Sequence, residues 1–271
     1  MALPIAVQLY SVRKDLAADF RGTLEKVKAL GYDGVEFAGL NGYSAAEIKA
    51  MCEEIGLCPI SAHVPHHEMK EDAEGVLRTY AEIGCKYVAF PYLTPEYRPG
   101  CEKFAEFLED MKVFGKVARD LGMTLLYHNH DFEFVELDGK YALDVLYEEV
   151  PADLLQTELD TCWVKVAGVE PTEYIKQYSG RCPVVHLKDF EGEKSSNMYA
   201  LIGIKSDESK KPSTFEYRPV GSGKQDFPAI IKASEEAGAE WLVVEQDSPS
   251  MGLTPMECIE KSRDYLRTIY A

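Results

Sequence analysis

A chain of 271 residues, 46% of them hydrophobic, suffices for one large globular core, and no apolar run approaches the roughly 18 residues that cross a bilayer. Lysine and arginine number 29 against 46 aspartates and glutamates, a net charge of −17 that repels nucleic acid at long range. The densest basic group, Lys205, Lys210 and Lys211, sits among Asp207 and Glu208, so no basic groove offsets that repulsion.

The first apolar stretch, PIAVQLY (4–10), has no basic residue before it and no cleavage-like site after it, and reads as a strand rather than a secretory leader. Further β-branched, apolar runs follow at 33–37, 58–63, 86–90, 123–130, 154–160, 183–188 and 241–245. Amphipathic segments alternate with them at 16–30, 44–55, 67–83, 101–121, 141–149, 171–178, 226–237 and 254–269, several closing on a glycine such as Gly84 or Gly238. Eight strand–helix repeats predict parallel strands with crossover helices, closed into a single-domain (β/α)8 TIM barrel over 1–271. No GxGxxG follows the first strand, which removes the dinucleotide-binding version, and VGSGKQ (220–225) is too short for a phosphate loop. One segment, about 190–221, breaks the rhythm and is expected to be a substrate-covering loop with a hairpin formed by 198–204 and 215–220.

Seven scattered cysteines without a CxxC pair predict free thiols and a reducing, cytoplasmic setting, with Cys58, Cys85, Cys162 and Cys182 as small core residues. His66 and His67 are expected at the solvent-facing start of the third helix.

Polar residues at barrel strand ends face the mouth. Here those positions carry Gln8, Tyr10, Glu36, His63, His128, His130, Glu158, Asp160, His186, Lys188 and Glu245. Desolvating so many polar groups costs several kcal/mol each without partners, and a divalent metal is the natural compensator. Its expected ligands are Asp160, His186 and Glu245, with His128 as first choice from the fifth strand and His130 as second. Each has a plainer reading. His186 alone suits a hydrogen-bonded buried histidine, Glu245 alone a partner for Lys188, and Asp160 alone a helix or turn cap.

The fragments VQLYSVRKDL (7–16), GYDGVEF (31–37), YHNHDFEF (127–134), ELDTCWVKVAG (158–168), VVHLKDF (184–190), RPVGSGKQDF (218–227) and VVEQDSP (243–249), in this order, resemble the xylose isomerase-like TIM-barrel family. That family contains sugar phosphate isomerases and epimerases, inosose dehydratase, hydroxypyruvate isomerase and endonuclease IV. The resemblance implies one divalent ion, manganese or zinc first and cobalt, magnesium or iron next, held by Asp160, His186 and Glu245. The family's fifth-strand glutamate is replaced by His128, with Glu133 a less direct candidate. Where family epimerases carry a sixth-strand histidine, this chain has Trp163, whose indole offers a stacking face to a sugar ring.

The expected reaction on a small sugar-like molecule is proton abstraction next to a carbonyl through a metal-stabilised enediolate, as an isomerase or epimerase. A lyase or dehydratase acting on an inosose or 3-keto-glycoside is the alternative, and a non-catalytic sugar-binding barrel is the alternative of another class. Glu245 or Glu158 would act as base, and His63 and Lys188, the latter with a lowered pKa, would protonate or orient oxygens. Gln8, Tyr10, Glu36, His130, Trp163 and Arg218 would bind substrate. Neither nucleic acid nor membrane is an expected partner; a homo-oligomer is left open.

Overall fold

The structure, a computed structural model, describes residues 2–194 and 214–270. Its barrel strands are β1 (Ile5–Gln8), β2 (Gly34–Phe37), β3 (Cys58–Ala62), β4 (Tyr87–Phe90), β5 (Thr124–His128), β6 (Gln156–Asp160), β7 (Val184–Leu187) and β8 (Trp241–Val244). All pair in parallel with their chain neighbours, and β8 pairs with β1. Between β3 and β4 the ring closes through one isolated bridge, His63 to Ala89, with Val64 N–H donating to Ala89 O (2.9 Å) and Lys86 N–H to Ile60 O (3.1 Å). The eight expected strands are present, trimmed at their ends. The chain is thus a single TIM barrel.

Helices cover the outside. The segment expected at 16–30 is broken at Asp19, whose extended backbone ends the helix Arg13–Ala18 and whose carboxylate accepts from Gly22 N–H to start Phe20–Ala29. Capping boxes at Ser44/Glu47 and Thr254/Glu257 fix the starts of Ala45–Ile55 and Pro255–Ile269. The short helix Thr161–Val166 directly after β6 has no counterpart in the periodicity. Residues 198–204 of the expected hairpin lie outside the described residues. Its other half, Glu216–Arg218, pairs antiparallel with Asp189–Glu191.

Period-2 alternation sorts the strands into two faces. Ile5, Val7, Val35, Leu125 and Tyr127 point outward and pack with helix residues such as Leu24, Val27, Phe107 and Ile259. Their alternates point into the barrel, where Ala6, Ile60, Tyr87, Ala89, Leu126, Val184 and Val243 form a separate apolar plug, flanked by Trp241. Space there is tight: a Cβ on Gly34 would come within 2.7 Å of Cys58 O. One step further along the same faces stand Gln8, Glu36, His128, Glu158 and His186, so the plug is the floor on which the polar residues rest.

Cys85, Cys162 and Cys182 are buried as expected, but Cys58, also expected in the core, is exposed at the start of β3. Leu126→Ala in the plug removes a fully buried side chain from a ring that cannot collapse, and should cost about 2–5 kcal/mol in urea unfolding. A loss below about 1 kcal/mol would mean that the plug is not close-packed.

Candidate active site

Two tiers of polar side chains stand above the plug. In the lower tier, Gln8 Nε2–H donates to Glu36 Oε1 (2.7 Å). His63 Nε2 lies 2.7 Å from Glu158 Oε2 and 3.2 Å from Glu36 Oε1, and its ring stacks parallel to His186. Burial opposes charge on His63, yet Glu36 and Glu158 outweigh it and push the imidazole up to about 10. His186 Nε2 is 2.9 Å from Glu36 Oε1 and 3.5 Å from Glu158 Oε2, without hydrogen-bond geometry to either. Glu36, Glu158 and His186 are fully buried.

The upper tier joins the ends of β5 to β8. His186 Nδ1 is 3.2 Å from Glu245 Oε2, and His128 Nε2 is 3.3 Å from Asp160 Oδ2 and 3.5 Å from Glu245 Oε2. Lys188 Nζ lies 3.0 Å from Glu245 Oε2, 2.9 Å from Asp247 Oδ2 and 3.6 Å from Asp160 Oδ2. Burial works against the Lys188 ammonium, but Asp247, Glu245 and Asp160 overcome it and hold its pKa well above the usual value. Three carboxylates around Nζ thus act against the lowered lysine pKa expected beside a metal. Glu245, also opposed by burial, is held well below the usual carboxylate range by Lys188, His128 and His186.

The plain readings of these residues are met in the structure. Asp160 Oδ1 accepts from Trp163 N–H as the cap of Thr161–Val166, leaving Oδ2 for the site. Glu245 does pair with Lys188. His128 Nδ1 faces Pro91 O at 3.3 Å, so a proton there leaves Nε2 as a lone-pair donor. His128 Nε2 and Asp160 Oδ2 have no hydrogen-bond partner among the described residues. His128, Asp160, His186 and Glu245 present ligand atoms within 4.8 Å of one another, all buried. Two orphaned buried acceptors, a second imidazole and a carboxylate converging on one point fit a divalent metal.

A cavity of about 350 Å³ opens above this set, bordered by Tyr10, His63, His128, His130, Lys188, Glu245 and Asp247, with Gly39, Tyr92 and Glu68 further out. Of the expected substrate contacts, Tyr10 and His130 border it. Burial first, then His128 and Lys188, push the His130 pKa well below its usual value, so this ring is neutral. Gln8 and Glu36 lie beneath, in the lower tier. Trp163 is displaced from the expected role: it is 1% exposed, covered on one side by the His130 ring (4.8 Å between centroids) and facing Phe215 on the other. Arg218 pairs with Glu216 (2.9 Å) and does not border the cavity. His66, expected in solvent, is buried against Asp110 and the rings of Tyr97 and Phe107, while His67 is exposed.

Some supporting residues are not among those the sequence singles out. Asp247 lies two residues beyond Glu245 and hydrogen-bonds Tyr217 as well as Lys188. Arg13 ties the β1 and β8 loops together by donating to Tyr10 O and Asp247 O, both at 2.8 Å. Asn129 accepts from Asp160 N–H (2.9 Å) and Thr161 Oγ donates to His186 O (2.8 Å), stitching the ends of β5, β6 and β7. A hydroxyl or amide beside a strand-end ligand was the available clue in YHNH and LDT.

Glu133 is not a member of the upper tier. It accepts from Tyr127 Oη–H (2.5 Å) and from His130 N–H (2.7 Å), shaping the turn that follows β5. Burial raises its pKa to about 7 despite those two bonds. A raised acid favours the folded state most below its unfolded value near 4.5, and that contribution is lost as pH rises to about 7. Glu133→Gln should therefore flatten the fall of urea-unfolding stability between pH 4.5 and 7. An unchanged slope would place the titration elsewhere.

The fold and the site define a TIM-barrel protein with an ionisable, metal-compatible mouth. The Xylose isomerase-like TIM barrel family model matches residues 24–269, and the chain belongs to that family. An inosose dehydratase of Clostridium botulinum is 27% identical over 183 residues, 65% of this chain and 58% of that protein, so the match spans little more than half of the relative. A solved sugar phosphate isomerase/epimerase of Parabacteroides distasonis superposes with a TM-score of 0.78 at 23% identity, covering 98% of this chain and 94% of the other. A solved IOLI protein with a bound zinc atom gives 0.71 at 18% identity, covering 98% of each. At these identities the two structures show the fold. Among the described residues, no helix is long and apolar enough to cross a membrane.

Proposed function

We propose that the chain is a dehydratase acting on a keto-cyclitol or keto-sugar, by proton abstraction next to the carbonyl and loss of a β-hydroxyl. The carrying observation is the pairing of Glu245 and Lys188, 3.0 Å apart at the border of the cavity, with the β5 imidazole of His128 3.5 Å from the same Glu245 oxygen. A carboxylate and an ammonium on one side serve one face of a substrate. Epimerisation needs proton donors and acceptors on two faces, and the β5 position that would hold a second carboxylate holds an imidazole. This reverses the order of the two enzymatic readings drawn from the sequence, and the similarity to inosose dehydratases supports the reversal.

A divalent ion at His128, Asp160, His186 and Glu245 would supply positive charge beside the carbonyl oxygen, stabilising the enolate that proton loss creates. Glu245 Oε1 takes the proton from the carbon next to the carbonyl. Lys188 gives a proton from Nζ to the departing hydroxyl, which leaves as water as the carbon–carbon double bond forms. Asp247, against Lys188 Nζ and bonded to Tyr217, keeps that ammonium aimed at the cavity. The neutral His130 and Tyr10 are placed to hydrogen-bond substrate hydroxyls. Proton exchange with solvent resets Glu245 and Lys188.

A second reading, isomerisation, rests on the same one-sided pair, which also suits moving a proton between adjacent carbons. The test is an inosose with Mn2+ in D2O, followed by NMR and mass spectrometry. Loss of one water is expected, with kcat reduced about 10³-fold in Glu245→Gln and Lys188→Met. A product of unchanged composition carrying solvent deuterium would replace the dehydratase with an isomerase or epimerase. Turnover unaffected by either substitution would remove both.

A further inference from the structure

The lower tier has a geometry that its hydrogen bonds do not use up. Four atoms from four strand ends, His63 Nε2, His186 Nε2, Glu36 Oε1 and Glu158 Oε2, stand in close approach, each imidazole nitrogen near both carboxylate oxygens. Their measured separations are 2.7 Å (His63–Glu158), 3.2 Å (His63–Glu36), 2.9 Å (His186–Glu36) and 3.5 Å (His186–Glu158). A tetrahedral ion with ligands at about 2.0–2.1 Å keeps its donor atoms about 3.3 Å apart, within the range these four span. The donor set, two imidazoles and two carboxylates, suits zinc or manganese.

Independent observations at the same place point to a ligand. His186 Nε2, one of these four atoms, is buried without a hydrogen-bond partner among the described residues, and so are the second carboxylate oxygens, Glu36 Oε2 and Glu158 Oε1, while Glu36 Oε1 accepts from Gln8 Nε2–H and Glu158 Oε2 faces His63 Nε2. Glu36, Glu158 and His186 are 0% exposed and the His63 side chain 9%. His63, Glu158 and His186 together with His128 also form a ligand group whose atoms lie within 4.8 Å of one another. Buried carboxylates this close to one another need cations between them. Protons on His63 and His186 can serve, and so can one divalent ion.

The geometry points to a second divalent-cation site, one tier below the first, held by Glu36, His63, Glu158 and His186. His186 is shared, with Nδ1 turned up toward Glu245 and Nε2 down toward Glu36 and Glu158. With both sites filled, His63 would be neutral and His186 would bridge the two ions as an imidazolate, having given up both ring protons, so uptake releases acid to solvent. The upper ion is the one the proposed reaction uses. The lower one would be structural: it neutralises Glu36 and Glu158, locks the His186 ring, and joins β2, β3, β6 and β7. The inference does not depend on the dehydratase reading.

The test strips the full chain with chelator, reloads it with saturating Zn2+ or Mn2+ alone, removes excess, and measures metal by ICP mass spectrometry. Two equivalents are expected in the wild type, one in Glu158→Gln and one in Glu245→Gln. One equivalent, lost in Glu245→Gln and kept in Glu158→Gln, would overturn the lower site and leave the upper one standing. One equivalent with the opposite pattern would uphold the lower site and remove the upper. No bound metal would remove both, leaving a network held by protons. Should Glu158→Gln fail to fold, anomalous scattering from zinc-loaded wild-type crystals decides without it. Two peaks on either side of His186 support the site, and a single peak on the Nδ1 side refutes it.

Discussion

Five carboxylates, from Glu36, Glu158, Asp160, Glu245 and Asp247, crowd into the mouth of one barrel, and their mutual repulsion in a dehydrated interior governs what else can be there. Each would cost several kcal/mol if left uncompensated. Every neighbouring group answers that demand: Lys188 against three of them, His63 and His186 against Glu36 and Glu158, Gln8 against Glu36. The apolar plug beneath, from Ala6 to Val243, makes the demand sharper because it leaves no route for water from below. The demand for positive charge is thus a property of the whole barrel interior.

The alternation of β-strands made much of this legible. Once β6, β7 and β8 are placed, period 2 puts Glu158 with Asp160, Val184 with His186 and Lys188, and Val243 with Glu245 on the inner face, and the structure brings these residues together. Strand–helix alternation likewise suffices for the barrel. The reading weakened where side chains leave the strands. Trp163 sits on a one-turn helix started by the Asp160 cap, and no periodicity tells which way its ring turns. Arg218 belongs to an arm that folds back on 189–191, so its direction depends on a pairing distant in sequence. His66 looked like a solvent-facing histidine because its aromatic surroundings, Phe107 and Tyr97, arrive from another helix and loop. Asp247 and Arg13 were invisible for the same reason: their roles are relations between loops.

The two tiers share one residue, and that sharing limits how the site can be altered. His186 presents its two nitrogens to opposite neighbours, Nε2 to Glu36 and Nδ1 to Glu245, so where its ring protons sit depends on both tiers. Thr161, bonded to the His186 carbonyl, and Asn129, bonded to Asp160, hold the backbone fixed while that choice is made. Changing the reaction by exchanging rim residues such as Tyr10 or His130 leaves this arrangement intact, whereas any change at His186 is felt in both tiers.

The seam between β3 and β4 gives the barrel an uneven stiffness. Seven of its strand junctions are ladders, that between β2 and β3 with a register shift at Val35/Glu36, but this one is a single bridge, and the bridging residue is His63 itself. The residue whose backbone makes the ring's weakest joint therefore also reaches Glu158 on β6 with its side chain. Strain applied at the joint, whether by heat or by an incoming molecule pressing on the mouth, arrives at the ionisable interior first. The barrel behaves less like a rigid cup than like a clasped collar, whose clasp is tightened from within by whatever sits between His63 and the opposite strands.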